Sequence, residues 1–241
     1  ANFDYFVLSI LTNKKRKCMD QKVLLLVVVV IGFTVQPAFS HKPLSTSEQN
    51  VSIENALFIP DHKISWVIFE NLDTNQKKFY TFEAKEGDSV YSSIVIPKIE
   101  RFENYSPNLA LFSSAEISDS DNIEKIIQNA VLISKYEGPI PSKEFYEPFG
   151  QATYWERQEI NITIPQDGKY YLVVYDSQGM QGKYALAVGT IEDFSAIDIF
   201  TVLPMAWFET KYFFEDYLSM LISIPVILFI PVLYLLKKRI S

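Results

Sequence analysis

Apolar positions follow three regimes along the 241 residues. Near each end they run without a charge, over Val23 to Val35 and over Tyr217 to Leu236; between these runs they alternate with polar ones. Short segments rich in β-branched and aromatic residues recur there: Ile64–Asn71, Lys77–Ala84, Val90–Pro97, Asn108–Ser114, Ala130–Glu137, Thr153–Ile164, Lys169–Asp176 and Lys183–Thr190. Alternation with a period of two marks a half-buried strand, and the intervening Asp-Thr-Asn and Glu-Gly-Asp clusters are turn chemistry. Residues 123–129 fit one helical turn as an alternative. In KKFYTFEA, Tyr80 and Phe82 share the face that is predicted to be core. The last two segments, joined through Gly179 and Gly182, read as a hairpin. Roughly eight short strands predict an all-β fold, a jelly-roll-like β-sandwich ectodomain over residues 55–196.

The two continuous runs have different readings. Met19 and Lys22 precede the first, and Pro37-Ala38-Phe39-Ser40 after it forms a small-x-small cleavage pattern ahead of His41. Residues 19–40 are therefore expected to be a signal peptide, with 1–18 an upstream extension, because the run is short of the ~20 apolar residues a span needs. Residues 41–54 are polar and expected as a flexible arm. The second run is uncharged, of spanning length, and followed by Lys237, Lys238 and Arg239. Residues 217–236 are read as one C-terminal transmembrane helix and 237–241 as a cytoplasmic tail, since basic residues flank the cytoplasmic side. The expected location is the cell membrane, single-pass, with the N-terminal domain extracytoplasmic and the C-terminus cytoplasmic. Residues 197–216, crowded with Phe, Trp and Tyr, are expected as a juxtamembrane aromatic segment, either in the lipid interface or docked on another membrane or envelope protein.

Charge narrows the partners. Residues 41–210 carry 25 acidic and 13 basic side chains, a net of −12. That balance excludes nucleic acid, which is bound through cationic side chains, and suits a cation or a basic partner. Cys18 is the one cysteine, so the exported part has no disulfide and must be held by its core.

Three stretches, KKFYTFEAKEGDSV, NLALFSS and DGKYYLVVYDSQGMQGKYALAVG, resemble in order and turn placement the pre-peptidase C-terminal domain, a small jelly-roll sandwich of secreted bacterial and archaeal proteins. The resemblance covers about residues 60–190 and implies a closing hairpin that ends in a Tyr-x-Leu-x-Val strand, here Tyr184, Leu186 and Val188. The segment from Tyr136 to Glu159 is longer and more aromatic than the family pattern, and no protease domain precedes. The overall layout also resembles signal-plus-single-span surface proteins of ammonia-oxidising archaea. It implies envelope placement and no particular activity.

Catalytic chemistry has little material. His41 and His62 are the only histidines, and no catalytic motif is present, so the reading is a non-enzymatic envelope module for binding or assembly. Cleavage after Ser40 would expose His41 as an N-terminal residue whose amine and imidazole, with His62, offer nitrogen ligands to copper, which gives the alternative of a metal-handling protein. Asp119, Asp121, Asn122 and Glu124 offer oxygens to calcium but lack the spacing of an EF-hand loop, so a solvated acidic loop competes with that reading. The segment 144–159 places Tyr146, Glu147, Phe149, Tyr154 and Trp155 together. Such a set either plugs the end of a sandwich or binds a ligand, since rings give contact area at small entropy cost. Asn50 and Asn161 head sequons for N-glycosylation.

Overall fold

The structure, a computed structural model, describes residues 41–46, 49–116, 125 and 130–223. The expected signal peptide, the acidic loop at 119–124, most of the 217–236 run and the 237–241 tail lie outside the described residues. Among the described residues no helix is long and apolar enough to cross a membrane, and residues 217–223 are helical.

The strands are β1 (Lys42–Pro43), β2 (Leu57–Phe58), β3 (Trp66–Leu72), β4 (Lys77–Ala84), β5 (Ser89–Pro97), β6 (Asn108–Ser113), β7 (Leu132–Ser134), β8 (Glu144–Glu147), β9 (Ala152–Thr163), β10 (Gly168–Tyr175) and β11 (Gly182–Val188). A helix, α1 (Asp198–Phe213), follows. Sheet A has the order β1-β3-β11-β5-β9-β8 and sheet B the order β2-β4-β10-β6-β7. From β3 to β6 each strand crosses to the opposite sheet, and β9, β10 and β11 do the same on the way back. This winding interleaves the first half of the chain with the second. It makes the domain a two-sheet sandwich whose pairings are nearly all long-range.

The expected hairpin of the last two strands does not form. β10 lies in sheet B between β4 and β6, whereas β11 lies in sheet A between β3 and β5. The Ser177–Gln181 connection reverses the chain, but it carries it across the sandwich instead of along one sheet. Residues 41–54, expected as a flexible arm, are attached to the sandwich: β1 pairs in parallel with β3, and the Phe79 amide donates to Asn50 O at 2.8 Å.

Alternation sorts the side chains as the pleat requires. Tyr80, Phe82, Leu109, Leu111, Tyr170, Leu172 and Val174 of sheet B meet Ile68, Leu72, Ile94, Ile96, Leu186 and Val188 of sheet A in the core. Phe79 and Phe112 point the other way and are buried too, under Ile53, Ala56 and Ala130 on the outer face of sheet B. Polar groups penetrate one end of the core. Lys78 Nζ lies 3.1 Å from Glu70 Oε2, both side chains being 3% exposed or less. Lys78 also donates to Asn50 Oδ1 at 3.3 Å, and beyond the pair the hydroxyls of Tyr80 and Tyr184 bond at 2.6 Å. Asn50, which heads a sequon, is 3% exposed, its Oδ1 accepting from Lys78. Asn161 stands exposed on β9.

His62, in a run of polar residues that reads as a solvated turn, is instead buried at 2% exposure against the Phe82 ring, centroids 5.1 Å apart. Its Nδ1 lies 3.1 Å from Glu83 O, which requires the proton on Nδ1, while Nε2 is 3.7 Å from Asp88. Burial lowers the imidazole pKa, with Asp88 and Asp61 pulling back. A depressed histidine favours the neutral form in the fold, so stability is whole above the unfolded value of about 6.5 and declines as pH falls below it. Denaturant unfolding at pH 7.5 and 5.5 should therefore show a drop that is smaller in His62→Gln than in the native chain. Equal drops would remove His62 from the cause.

Candidate functional site

β11 reads Lys183-Tyr184-Ala185-Leu186-Ala187-Val188, and since Tyr184, Leu186 and Val188 fill the core, Ala185 and Ala187 face outward. Two alanines in the middle of sheet A leave a hollow where larger side chains would make a flat face. Ser93 on β5, opposite Ala187, deepens it. Val67 and Phe69 of β3 and Tyr91 and Val95 of β5 continue the floor; Tyr154, Phe145 and Phe149 supply aromatic walls. The cavity measures about 550 Å³, inside the roughly 300–1,000 Å³ span of ligand sites.

α1 closes one side. Its Ala206, Thr210 and Phe213 are buried, and Phe213 packs on Phe69 with ring centroids 4.7 Å apart. Phe214 meets Tyr154 edge-on at 4.8 Å. Close approach depends on Gly150, where a Cβ would lie 2.6 Å from Thr210 Cγ2 and 2.7 Å from Glu147 Oε2. The helix start is tied to the N-terminal strand by Lys42 Nζ, 3.4 Å from Asp198 and 3.5 Å from Asp193.

Three carboxylates line the cavity, two of them because of a register slip. β5 and β9 pair Ser93 with Glu159 but Val95 with Glu156, so β9 carries one extra residue there. Such a bulge re-aims the strand, and it brings Glu156 and Glu159, three apart, to the same outer face. Glu156 is 3.3 Å from Lys143, and Glu159 accepts from the Tyr91 hydroxyl at 3.4 Å. Glu147 accepts from the backbone N–H of Phe149 at 2.7 Å and from that of Gly150. Burial pushes the Glu147 carboxyl above the usual range, opposed by those two N–H groups and by Lys211. Burial likewise raises the Tyr154 phenol, with Glu147 adding to the shift. Arg157 borders the cavity, but its guanidinium donates to the carbonyls of Tyr105 and Glu103 and to the Ser142 hydroxyl. The cavity is left with an apolar floor and an excess of negative charge.

Of the residues singled out by sequence, Glu147, Phe149 and Tyr154 line this cavity together. Trp155, adjacent to Tyr154 on β9, faces the core, and Tyr146 stands 57% exposed outside the cavity. His41 borders the cavity with Nδ1 against the Ser65 hydroxyl, whereas His62 is buried against the Phe82 ring. Among the described residues no group of three or more His, Cys, Asp or Glu is placed to hold a metal. Sequence reading missed Val67, Phe69, Ser93, Ala185, Ala187 and the buried face of α1. The alternating alanines of β11 were the available signal.

Fold and site together define a two-sheet β-sandwich with an acidic, aromatic-walled cavity on one outer face. The chain matches no family model and no curated protein. Among solved structures it is similar to PliG of Aeromonas hydrophila, a periplasmic lysozyme inhibitor of g-type lysozyme, at 15% identity and TM-score 0.36, covering 62% of this chain and 98% of that one. It is similar to the pre-peptidase C-terminal domain of collagenase from Bacillus anthracis at 15% identity and TM-score 0.30, covering 61% and 94%. CorA, a surface-associated copper-binding protein of Methylomicrobium album BG8, is similar at 9% identity and TM-score 0.30, covering 63% and 100%.

Proposed function

We propose that this chain is a non-enzymatic, extracytoplasmic binding module of the cell envelope, held to the membrane through residues 217–236, and that it binds its ligand in the outer cavity of sheet A. One observation carries the reading: small residues at Ser93, Ala185 and Ala187 hollow out a sheet face that is otherwise aromatic and aliphatic, and Glu147 and Glu159 border the hollow. Apolar walls supply contact area and a few polar groups set orientation, the usual division of labour in a ligand site. The ligand chemistry that fits is a flat apolar body carrying an ammonium or another hydrogen-bond donor. A basic, aromatic side chain pair on a partner protein has that chemistry, and the acidic balance of the domain favours its approach.

Tryptamine, an indole with one ammonium, tests the reading against indole-3-acetate, which has the same ring and the opposite charge. Saturation-transfer NMR on the full chain in nanodiscs should show tryptamine contacts, weaker contacts for the acid, and loss of the tryptamine signal in Ser93→Trp. Equal signals from both compounds, or a tryptamine signal that persists in Ser93→Trp, would remove the cavity as the site.

A further inference from the structure

α1 has two faces of different character. The inward one, with Ala206, Thr210, Lys211 and Phe213, is buried on sheet A. The outward one is a stripe at helical spacing, Thr201, Pro204, Met205 and Tyr212, with Met205 57% and Tyr212 63% exposed. Glu209 flanks it, half-buried beside Ser45, and Lys211 turns inward to Asp216 at 3.2 Å. The helical residues 217–223 continue the same composition, with Tyr217, Leu218, Leu221 and Ile222 all more than half exposed. In a domain of net −12 over residues 41–210, these two helical faces present Met, Tyr, Leu and Ile to the outside.

We propose that the outward face of α1 lies on the lipid bilayer, so that the sandwich is docked on the membrane surface through this helix and does not swing on a loose stalk. What specifies lipid is the chain that follows. Residues 224–236 continue without a charge and end on Lys237, Lys238 and Arg239, so beyond the short break at 214–216, where Glu215 pairs with Lys183 and Asp216 with Lys211, the chain leads into a segment of spanning character. Tyr212 and Tyr217, with ring centroids 6.1 Å apart, stand at that junction, where amphipathic rings are favoured at the interface between headgroups and water. The acidic remainder of the domain is repelled by anionic headgroups, which leaves the uncharged stripe as the surface able to approach. The proposal rests on the membrane-anchored reading given above.

Site-directed spin labels on the full chain, in vesicles of zwitterionic phosphatidylcholine, read the contact directly. Single-cysteine variants Met205→Cys and Tyr212→Cys are made in a Cys18→Ser background, with Phe58→Cys, 53% exposed on β2, as the water-facing reference. Labels at 205 and 212 should collide several-fold more with oxygen, which concentrates in lipid, and several-fold less with a water-soluble nickel chelate than the label at 58. Labels at 205 and 212 that match position 58 would overturn the proposal, and so would labels shielded from both reagents, the signature of a covering protein. Carbonate extraction separates the two readings. A chain released by carbonate has lost the anchor, whereas a retained chain with water-exposed labels refutes the docking alone.

Discussion

Lys78→Met should destabilise the sandwich by about 3–5 kcal/mol, the range measured when one partner of a buried ion pair is deleted. The pair lies between the sheets, with Glu70 projecting from β3 and Lys78 from β4, and neither side chain reaches water appreciably. Removing the ammonium leaves Glu70 without its closest charge, and Asn50 Oδ1 loses the donor that Lys78 supplies. Burial already raises the Glu70 carboxyl above the usual range, and Lys78 is the first of the groups holding it down. Without Lys78 the carboxyl rises further. A raised carboxyl contributes stability below its unfolded pKa and loses it as pH rises through the folded one, so the penalty of Lys78→Met should shrink as pH falls from 7 toward 5. Lys78→Met with Glu70→Leu replaces both charges by apolar groups and should recover most of the loss. Urea unfolding of the three proteins decides the matter. A double variant no more stable than Lys78→Met would mean that the pair is not the source of the cost.

A second large effect is expected at Gly189, where β11 ends. Its φ is +72°, and a Cβ would press on the carbonyl oxygens of Ile64 and His62, backbone atoms with no rotamer to yield. The chain is fixed there on both sides, since Gly189 N donates to Tyr91 O at 3.0 Å and Ser65 N to Ile191 O at 2.8 Å. Left-handed backbone alone costs an alanine ~1–2 kcal/mol. The collision adds to that and places Gly189→Ala among the exceptional single substitutions, near ~4–5 kcal/mol. Gly87 is the control, with φ of +85° and nothing within 4 Å of a Cβ, so Gly87→Ala should pay the dihedral share only. Melting curves should place Gly189→Ala ~10 °C or more below the native chain, with Gly87→Ala lowered by a few degrees. Equal losses at the two positions would show that backbone dihedral, not the meeting of β11 with the 62–65 crossing, sets the cost.

Local signals were strong enough to place most strands. β4 spans Lys77–Ala84 as its alternation predicts, and β5, β6, β9, β10 and β11 begin within one residue of the predicted positions. What the pattern could not carry is partnership. The turn Ser177–Gln181 states that the chain reverses, but whether β11 joins β10 or crosses to β3 is decided by side chains over a hundred residues away. β7 is shorter than expected, Leu132–Ser134, and α1 went unforeseen because its many aromatic and β-branched residues are mediocre helix formers held in place by packing on Phe69 and Tyr154. The site was half visible. Strict alternation already forbids Tyr154 and Trp155 from sharing a wall, and it would also have separated Glu156 from Glu159. Only the bulge opposite Ser93 and Val95 puts those two carboxylates on one face.

Ala206 and Thr210 belong at once to the helix that packs on sheet A and to the rim of the cavity beneath it. Occupancy and helix position are therefore linked, and the linkage is reciprocal. A ligand that seats more tightly when α1 is drawn in strengthens the packing of Phe213 on Phe69 by the same factor. Anything that tilts α1 outward weakens that ligand in equal measure.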